Sequence, residues 1–247
     1  MATERITLLG IPIDILKPED VEETVMNLLA KETPQQVVFL NIWDLLNARY
    51  NCEFRDMVMD AGLVLPISKS IISGVKFLKK PVPVRRQTFD VVIEFLNVID
   101  SHYKSLYILG GRQKSLFKAE KNVRSTFPGI KLVGRFTGYH SKTIEPDIIT
   151  AISKAEPAIT IVGNGISGGR KWAYRNKGNF KSGIFLRESN IIDIFSKTKN
   201  KPSAGLFKSG LDYLPKVLKN PFRLFNIFRF MWYKVLLLWY RLFKNDS

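Results

Sequence analysis

Cysteine is almost absent: Cys52 is the single one in 247 residues. That excludes a disulfide framework and suits a reducing compartment. Histidine is nearly as scarce, with His102 and His140 the only two. Neither stands at ligand spacing from a Cys or another His, so both read as surface residues and no zinc site is expected. Acidic residues are in deficit, 22 Asp and Glu against 38 Lys and Arg, for a formal charge of +16. A surplus of that size calls for an anionic partner: a membrane, a nucleic acid or a phosphorylated ligand. Glu4 and Arg5 interrupt the N-terminus and no apolar run of signal-peptide length follows them, so the expectation is a cytosolic protein. Long hydrophobic runs are missing too. A transmembrane span needs about 20 apolar residues in a row, whereas Arg229 and Lys234 cut the greasiest stretch so that its longest uncharged run is Val235 to Tyr240.

That stretch, from Pro202 to Ser247, is where the charge and the rings collect. From Ala204 onward eight Lys or Arg face two Asp. On a helical wheel at roughly 100° per residue, Lys216, Arg223, Lys234 and Arg241 fall within about 20° of one another. Lys219 and Lys244 lie on the near flank, Arg229 stands apart, and the rest of the wheel is Phe, Leu, Ile, Trp, Tyr and Val. Three readings compete: a true span, a helix packed in the protein's own core or an oligomer contact, and an interfacial helix. The last accounts best for both features, with Trp232 and Trp239 at headgroup level and Lys216, Arg223, Arg229, Lys234 and Arg241 on anionic phosphates. Basic charge beside aromatic rings favours a membrane over nucleic acid, and no nucleic-acid partner is expected.

The body before it alternates strand and helix patterns. Arg5 to Leu16 reads as a strand or strand pair, and Pro18-Glu19-Asp20 opens a helix carrying Val21, Val25, Leu28 and Leu29 on one face. Gln36 to Leu40 is a strand ending at Asn41; one helix from about Ile42 to Asp60 leads to the strand Leu63 to Leu65, closed by Pro66. Ser68 to Leu78 reads as helix, and Thr88 is placed to cap another from Phe89 to Ile99. Strands at Ser105 to Leu109, Lys131 to Phe136, Ala158 to Val162 and Gly183 to Leu186 alternate with helices at Gln113 to Phe127 and Thr143 to Ala155. This order predicts an α/β fold, a mainly parallel sheet with helices on both faces. Residues 1–195 form that domain, 196–203 a polar basic linker and 204–247 the amphipathic appendage. Ligands of such sheets bind outside the carboxyl ends of the strands, which singles out Asn41, Ile67, Gly110-Gly111 and the run from Gly163 to Gly169 as borders of one crevice.

Gly163-Asn164-Gly165-Ile166-Ser167-Gly168 satisfies G-x-G-x-x-G after a strand. A dinucleotide site, however, puts that motif on the first strand–helix unit with an acidic residue about 20 positions later. Here it comes late, and the matching region holds Arg187-Glu188 in a poor strand pattern. It reads as a tight strand-to-helix turn, or as a loop approached by a sugar nucleotide. Gly110-Gly111-Arg112 is a similar turn, either structural or holding a phosphate at a helix N-terminus.

Taken in order, several segments resemble the WecG/TagA/CpsF glycosyltransferases. They are Val37-Val38-Phe39-Leu40-Asn41, Leu63-Val64-Leu65-Pro66, Leu78-Lys79-Lys80-Pro81 through Arg85, and Phe89-Asp90. Leu106 through Gly111, Phe127-Pro128-Gly129 through Gly138-Tyr139, Gly165 through Lys171-Trp172, and Gly210-Leu211-Asp212-Tyr213 leading to Pro221-Phe222-Arg223 continue the series. The resemblance implies a Rossmann-like fold and inverting, metal-independent transfer without a cofactor. The sugar would be an N-acetylhexosamine (N-acetylmannosamine-like), passed from a UDP-sugar to an undecaprenyl-pyrophosphate-linked saccharide in cell-surface polysaccharide synthesis. It implies catalytic roles for Asn41, Arg85 and Asp90, and nucleotide-sugar contacts at Gly110, Gly111, Gly163, Gly165 and Asp193. It puts Lys216 and Arg223 on the acceptor pyrophosphate and docks the appendage on the cytoplasmic face of the cell membrane as a peripheral attachment. A homo-oligomer or a partner glycosyltransferase stays open.

The departures are equally specific. The position of the family's general-base aspartate holds Ile67, which cannot accept a proton. The sugar-contacting glutamine is missing from Ser167-Gly168-Gly169-Arg170, and of the glycine-rich Gly-Gly-Ser-Phe-Asp segment Glu188 to Asp193 keeps only the Asp. Two expectations follow: a divergent glycosyltransferase using another base or none, or a catalytically inactive relative acting as a binding or scaffold subunit.

Overall fold

The computed structural model describes residues 3–201, 203–210 and 226–243. Strands β1 (Glu4–Leu8) and β2 (Ile11–Ile15) pair antiparallel, with Leu8 opposite Ile11. The two residues between them, Leu9 and Gly10, both have positive φ (53° and 80°), the backbone that a two-residue hairpin turn of matching twist requires. A single 3-10 turn, Pro18–Asp20, leads into α1 (Val21–Leu29), and β3 (Gln35–Leu40) follows.

The single helix expected from Ile42 to Asp60 is two, α2 (Ile42–Tyr50) and α3 (Cys52–Met59). Asn51 between them is extended (φ −104°, ψ 106°), ending one helix and capping the next through its side-chain oxygen, which accepts from the Phe54 amide at 2.8 Å. Strand β4 (Leu63–Pro66) includes its proline. Proline fits there because β4 is an edge of the six-stranded sheet, where a missing N–H on the outward side costs no ladder bond. Next come α4 (Lys69–Phe77), capped by Ser68, and α5 (Thr88–Ser101). Thr88 is already helical; Gln87 takes the cap position without a side-chain bond, so the expected threonine cap is not made.

The strands and long helices that follow stand as predicted: β5 (Ser105–Leu109), α6 (Gln113–Thr126), β6 (Lys131–Phe136), α7 (Glu145–Ala155) and β7 (Ile159–Val162), with β8 (Ile184–Arg187) the last strand; two short helices absent from the sequence reading, α8 (Trp172–Arg175) and α9 (Ile191–Phe195), flank β8. The sheet runs β4-β3-β8-β7-β5-β6 with every pairing parallel. The last strand in sequence thus enters the middle of the sheet. Alternate side chains feed opposite faces. Phe39, Leu65, Ile108, Ile161 and Leu186 pack under α1, α5, α6 and α9. Val38, Leu40 and Val64 pack under the hairpin and α2 to α4, while Leu109, Val162 and Phe185 pack under α7 and α8. This is the α/β sheet covered on both faces that the residue pattern predicts.

Among the described residues the tail carries two further helices, α10 (Ala204–Ser209) and α11 (Asn226–Phe243). Tyr233, Leu236, Leu237 and Tyr240, spaced i, i+3, i+4, i+7, are buried in the same cluster as the hairpin and α2 to α4. The Tyr233 hydroxyl donates to the Ser70 carbonyl at 2.9 Å, and Arg49 donates to the Tyr240 hydroxyl at 3.1 Å. The opposite arc, roughly 160° of the wheel, is apolar and open: Ile227, Phe228, Met231, Trp232, Val235, Leu238, Trp239, Leu242 and Phe243 are all exposed. Core packing and an exposed greasy surface stood as alternatives for this segment in the sequence. The helix has one face of each kind, and none among the described residues is long and apolar enough to cross a membrane.

Candidate functional site

The carboxyl edge of the sheet carries two groups of residues with β8 between them. On one side, the turns after β5, β6 and β7 are stitched together by backbone. Gly163 donates to Leu109 O at 2.7 Å, Gly111 to Asn164 O at 2.8 Å, Gly138 to Gly111 O at 2.8 Å and Tyr139 to Gly165 O at 2.6 Å. A Cβ at Gly110 would meet Asn164 O at 2.9 Å, and one at Gly165 would meet the Tyr139 ring at 2.6 Å. The glycines therefore let three turns close on one another, and Gly110, Gly111, Gly138 and Gly163 spend their N–H groups doing so. The G-x-G-x-x-G run then passes through a 3-10 turn, Gly169–Lys171, into the four-residue α8. No long helix N-terminus faces a phosphate there, which removes the geometry of a dinucleotide site.

An open cleft of about 560 Å³ lies beside this knot, lined by Arg112, Gln113, Thr137, Gly138 and Tyr139. The Arg112 guanidinium stands 5.9 Å from the centre of the exposed Tyr139 ring. His140 is tied to the Thr137 carbonyl through Nδ1 at 2.9 Å. Asp193, on α9, joins the group from below: it pairs with Lys199 at 2.9 Å and accepts from Asn164 Nδ2 at 3.5 Å.

On the other side of β8, Asn41 and Ile67 are neighbours at the ends of β3 and β4. Asn41 caps α2, its side-chain oxygen accepting from Trp43 N at 2.8 Å and Asp44 N at 3.1 Å, while Asp44 Oδ2 returns a bond to Asn41 N at 3.2 Å. That reciprocal box satisfies two amides the helix would otherwise leave open. Ile67 is partly buried against the main core, and its N–H donates to Leu40 O at 3.0 Å. Arg85 Nε donates to the Ile67 carbonyl at 2.9 Å; the same guanidinium donates to Phe207 O and stacks over the Phe207 ring at 3.8 Å. Arg85 thus fastens α10 to the turn after β4. Asp90 pairs with Lys201 at 2.6 Å, and Asp44 pairs with Arg170. Among the described residues no group of three Cys, His, Asp or Glu is placed to hold a metal ion.

Between the groups stands Arg187, the last residue of β8. Its Nη1 donates to Val162 O at 2.9 Å and to Gly163 O, and its Nε is buried without a partner. Burial lowers its pKa below the ordinary arginine value; Glu188 works against that shift, and Arg170 adds to it. The sequence reading passed over Arg187 as part of a poor strand pattern. A cation closing an apolar strand was the signal available.

The tail cations sit beside rings: Arg229 is 5.8 Å from the Trp43 centroid, Lys234 5.4 Å from Phe230 and Arg241 4.5 Å from Phe77. Lys216, Arg223, Lys219 and Lys244 lie outside the described residues.

The model of the glycosyl transferase WecG/TagA/CpsF family matches residues 6–247, nearly the whole chain. The chain belongs to this family. No curated protein matches it. As a WecG/TagA/CpsF member it carries Ile67, not a carboxylate, at the end of β4, and the neighbouring carboxylates Asp44 and Asp90 are each engaged by a cation.

Proposed function

We propose that this protein works at a membrane surface, transferring an N-acetylhexosamine-type sugar from a UDP-sugar to a polyprenyl-diphosphate-linked saccharide in polysaccharide synthesis. Two findings support the reading: membership of the WecG/TagA/CpsF glycosyltransferase family and the two-faced α11. The observation that carries the membrane part is the outward arc of α11, which holds Trp232 and Trp239 about half exposed (48% and 47%) and is flanked at its opposite edge by Lys234 and Arg241. Rings at headgroup depth with cations on lipid phosphates describe a helix lying in the interface. The donor belongs at the carboxyl edge, where the Tyr139 cleft and the glycine turns lie. With no carboxylate at position 67, rate enhancement there rests on charge placed around the leaving diphosphate rather than on a general base.

A second reading is favoured by Ile67 itself. Its side chain packs on the core and its carbonyl is held by Arg85, so the β4 turn is built as structure. The chain would then be a non-catalytic subunit that keeps fold and membrane contact and serves an active partner glycosyltransferase.

Titration of UDP-N-acetylmannosamine and UDP-N-acetylglucosamine into the purified protein tests the first reading. Saturable binding, followed by transfer of radiolabelled sugar to a lipid-linked acceptor, is the expected result. Binding without any transfer selects the second reading, and the absence of binding at millimolar donor removes the first.

A further inference from the structure

Arg187 poses a problem that the fold alone does not solve. A guanidinium carries five N–H donors. Here Nη1 is used on the carbonyls at the end of β7, while Nε is buried with nothing to donate to. A neutral amide would serve those carbonyls without the cost of burying a charge. Among the described residues no carboxylate forms an ion pair with Arg187, whereas Arg5, Arg86, Arg135, Arg170 and Arg175 each have one. Glu188 and Arg170 both act on Arg187 through charge, Glu188 favouring the cation and the more strongly, Arg170 opposing it although itself paired to Asp44. A buried guanidinium donor left unused, on an arginine that no carboxylate pairs, describes an arrangement completed by an anion.

Position adds the second argument. β8 lies in the interior of the sheet order, between β3 and β7, and Arg187 ends it on the carboxyl side, where parallel sheets take their ligands. Arg187 holds Gly163 O, and the same turn accepts the Tyr139 amide on Gly165 O, so Arg187 is bonded to the turn that borders the cleft.

We propose that Arg187, with Arg170 beside it, is the anchor for a diphosphate group at the centre of the carboxyl edge. The inference rests on the glycosyltransferase reading for which diphosphate it is, the nucleotide donor's or the lipid acceptor's, and on the geometry alone for the chemistry. A planar fork suits two phosphate oxygens at once, and lysine does not reproduce it.

Calorimetric titration with inorganic pyrophosphate at fixed ionic strength tests this on the full chain. Compared are the natural protein, Arg187→Gln, Arg187→Lys, Arg170→Gln and, as an equal loss of charge elsewhere, Lys154→Gln. Loss of one charge-assisted pair predicts weakening by about tenfold or more in Arg187→Gln, a smaller loss in Arg187→Lys and Arg170→Gln, and none in Lys154→Gln. Should Arg187→Gln not fold, Arg187→Lys, which keeps a cation and donors for the two carbonyls but not the planar fork, carries the comparison. Equal weakening in the Arg187→Gln and Lys154→Gln variants, or no binding by the natural protein at millimolar pyrophosphate, overturns the proposal. UDP, uridine and farnesyl diphosphate then separate the sources: UDP binding that depends on Arg187 while uridine binding does not assigns the donor, and the same dependence for farnesyl diphosphate assigns the lipid. UDP-sugar binding that ignores Arg187 leaves the glycosyltransferase reading standing without this subsite. Pyrophosphate binding through Arg187 with no UDP-sugar binding leaves the subsite standing without that reading.

Discussion

The hydroxyl of Tyr233 occupies the space where a side chain on Gly74 would begin. A Cβ there would overlap the phenol oxygen and touch its ring carbon at 3.1 Å. The phenol cannot swing aside, because it is fully buried and donates to Ser70 O. This contact between α4 and α11 is what seats the tail helix on the body. Gly74→Ala is expected to cost about 1–3 kcal/mol by overpacking, and Tyr233→Phe about 0.5–1.5 kcal/mol through the lost hydrogen bond. Because Phe removes the atom that clashes, the double variant should cost less than the sum in denaturant unfolding; additive costs would mean the two residues do not meet.

The outward arc of α11 can be changed without touching that seat. Leu238→Gln, Trp239→Gln and Leu242→Gln combined should leave unfolding unchanged within about 0.5 kcal/mol per site, as for exposed positions generally. Flotation with anionic liposomes should be lost. Deleting the whole tail is a poorer experiment, since it uncovers the core that Leu237 and Tyr240 close. Retained flotation in the triple variant would remove the interfacial role.

Ile67→Asp places a carboxyl at the end of β4, beside Asn41. If transfer occurs at this edge, a base there should raise turnover by about 10²–10⁴-fold, read as kcat with lipid-linked acceptor. An unchanged rate in a folded variant would show that the acceptor hydroxyl is not presented at this strand end.

Asp14 is buried (2% exposed) and accepts from Arg5 at 2.6 and 2.8 Å and from the Val64 amide at 2.6 Å. It joins the hairpin to the outward N–H of edge strand β4. Arg5 is part exposed and can turn to water, so the Val64 amide sets the cost. Asp14→Ala should lose about 1–3 kcal/mol and Asp14→Asn, which keeps an acceptor, clearly less. Equal losses in urea unfolding would place the effect on charge instead.

Glu53 is held at a pKa of about 2, against an ordinary 4.5, chiefly by its bonds with Arg175 and then Lys171. These bonds tie α3 to the segment before and within α8. A lowered folded-state pKa means the contribution is present above pH 4.5 and is lost as pH falls toward 2, because the unfolded chain takes up the proton first. Unfolding midpoints measured between those pH values should therefore fall less steeply in Glu53→Gln than in the natural protein.

Much of the body was legible in the residues. Period-2 and period-3.6 patterns place every strand of the six-stranded sheet to within about a residue, and the glycines at 110, 111, 163 and 165 do stand at strand ends. Their use was not legible. Whether a glycine cradles a ligand or lets another turn approach depends on what lies opposite, and opposite Gly165 is Tyr139. The break at Asn51 was missed because apolar spacing continues through it, although an Asn that can cap both ways was the available sign.

The sequence by itself determined the strands of the sheet, the α/β class, the family and the cationic, aromatic character of the tail, since these depend on spacings within a few residues or on motif order. Only the tertiary structure decided that β8 enters mid-sheet, that Arg187 therefore stands between the two halves of the carboxyl edge, and which arc of α11 is turned inward. The reason is distance along the chain. Tyr233 finds its partner 163 residues away at Ser70, and no local preference reaches that far.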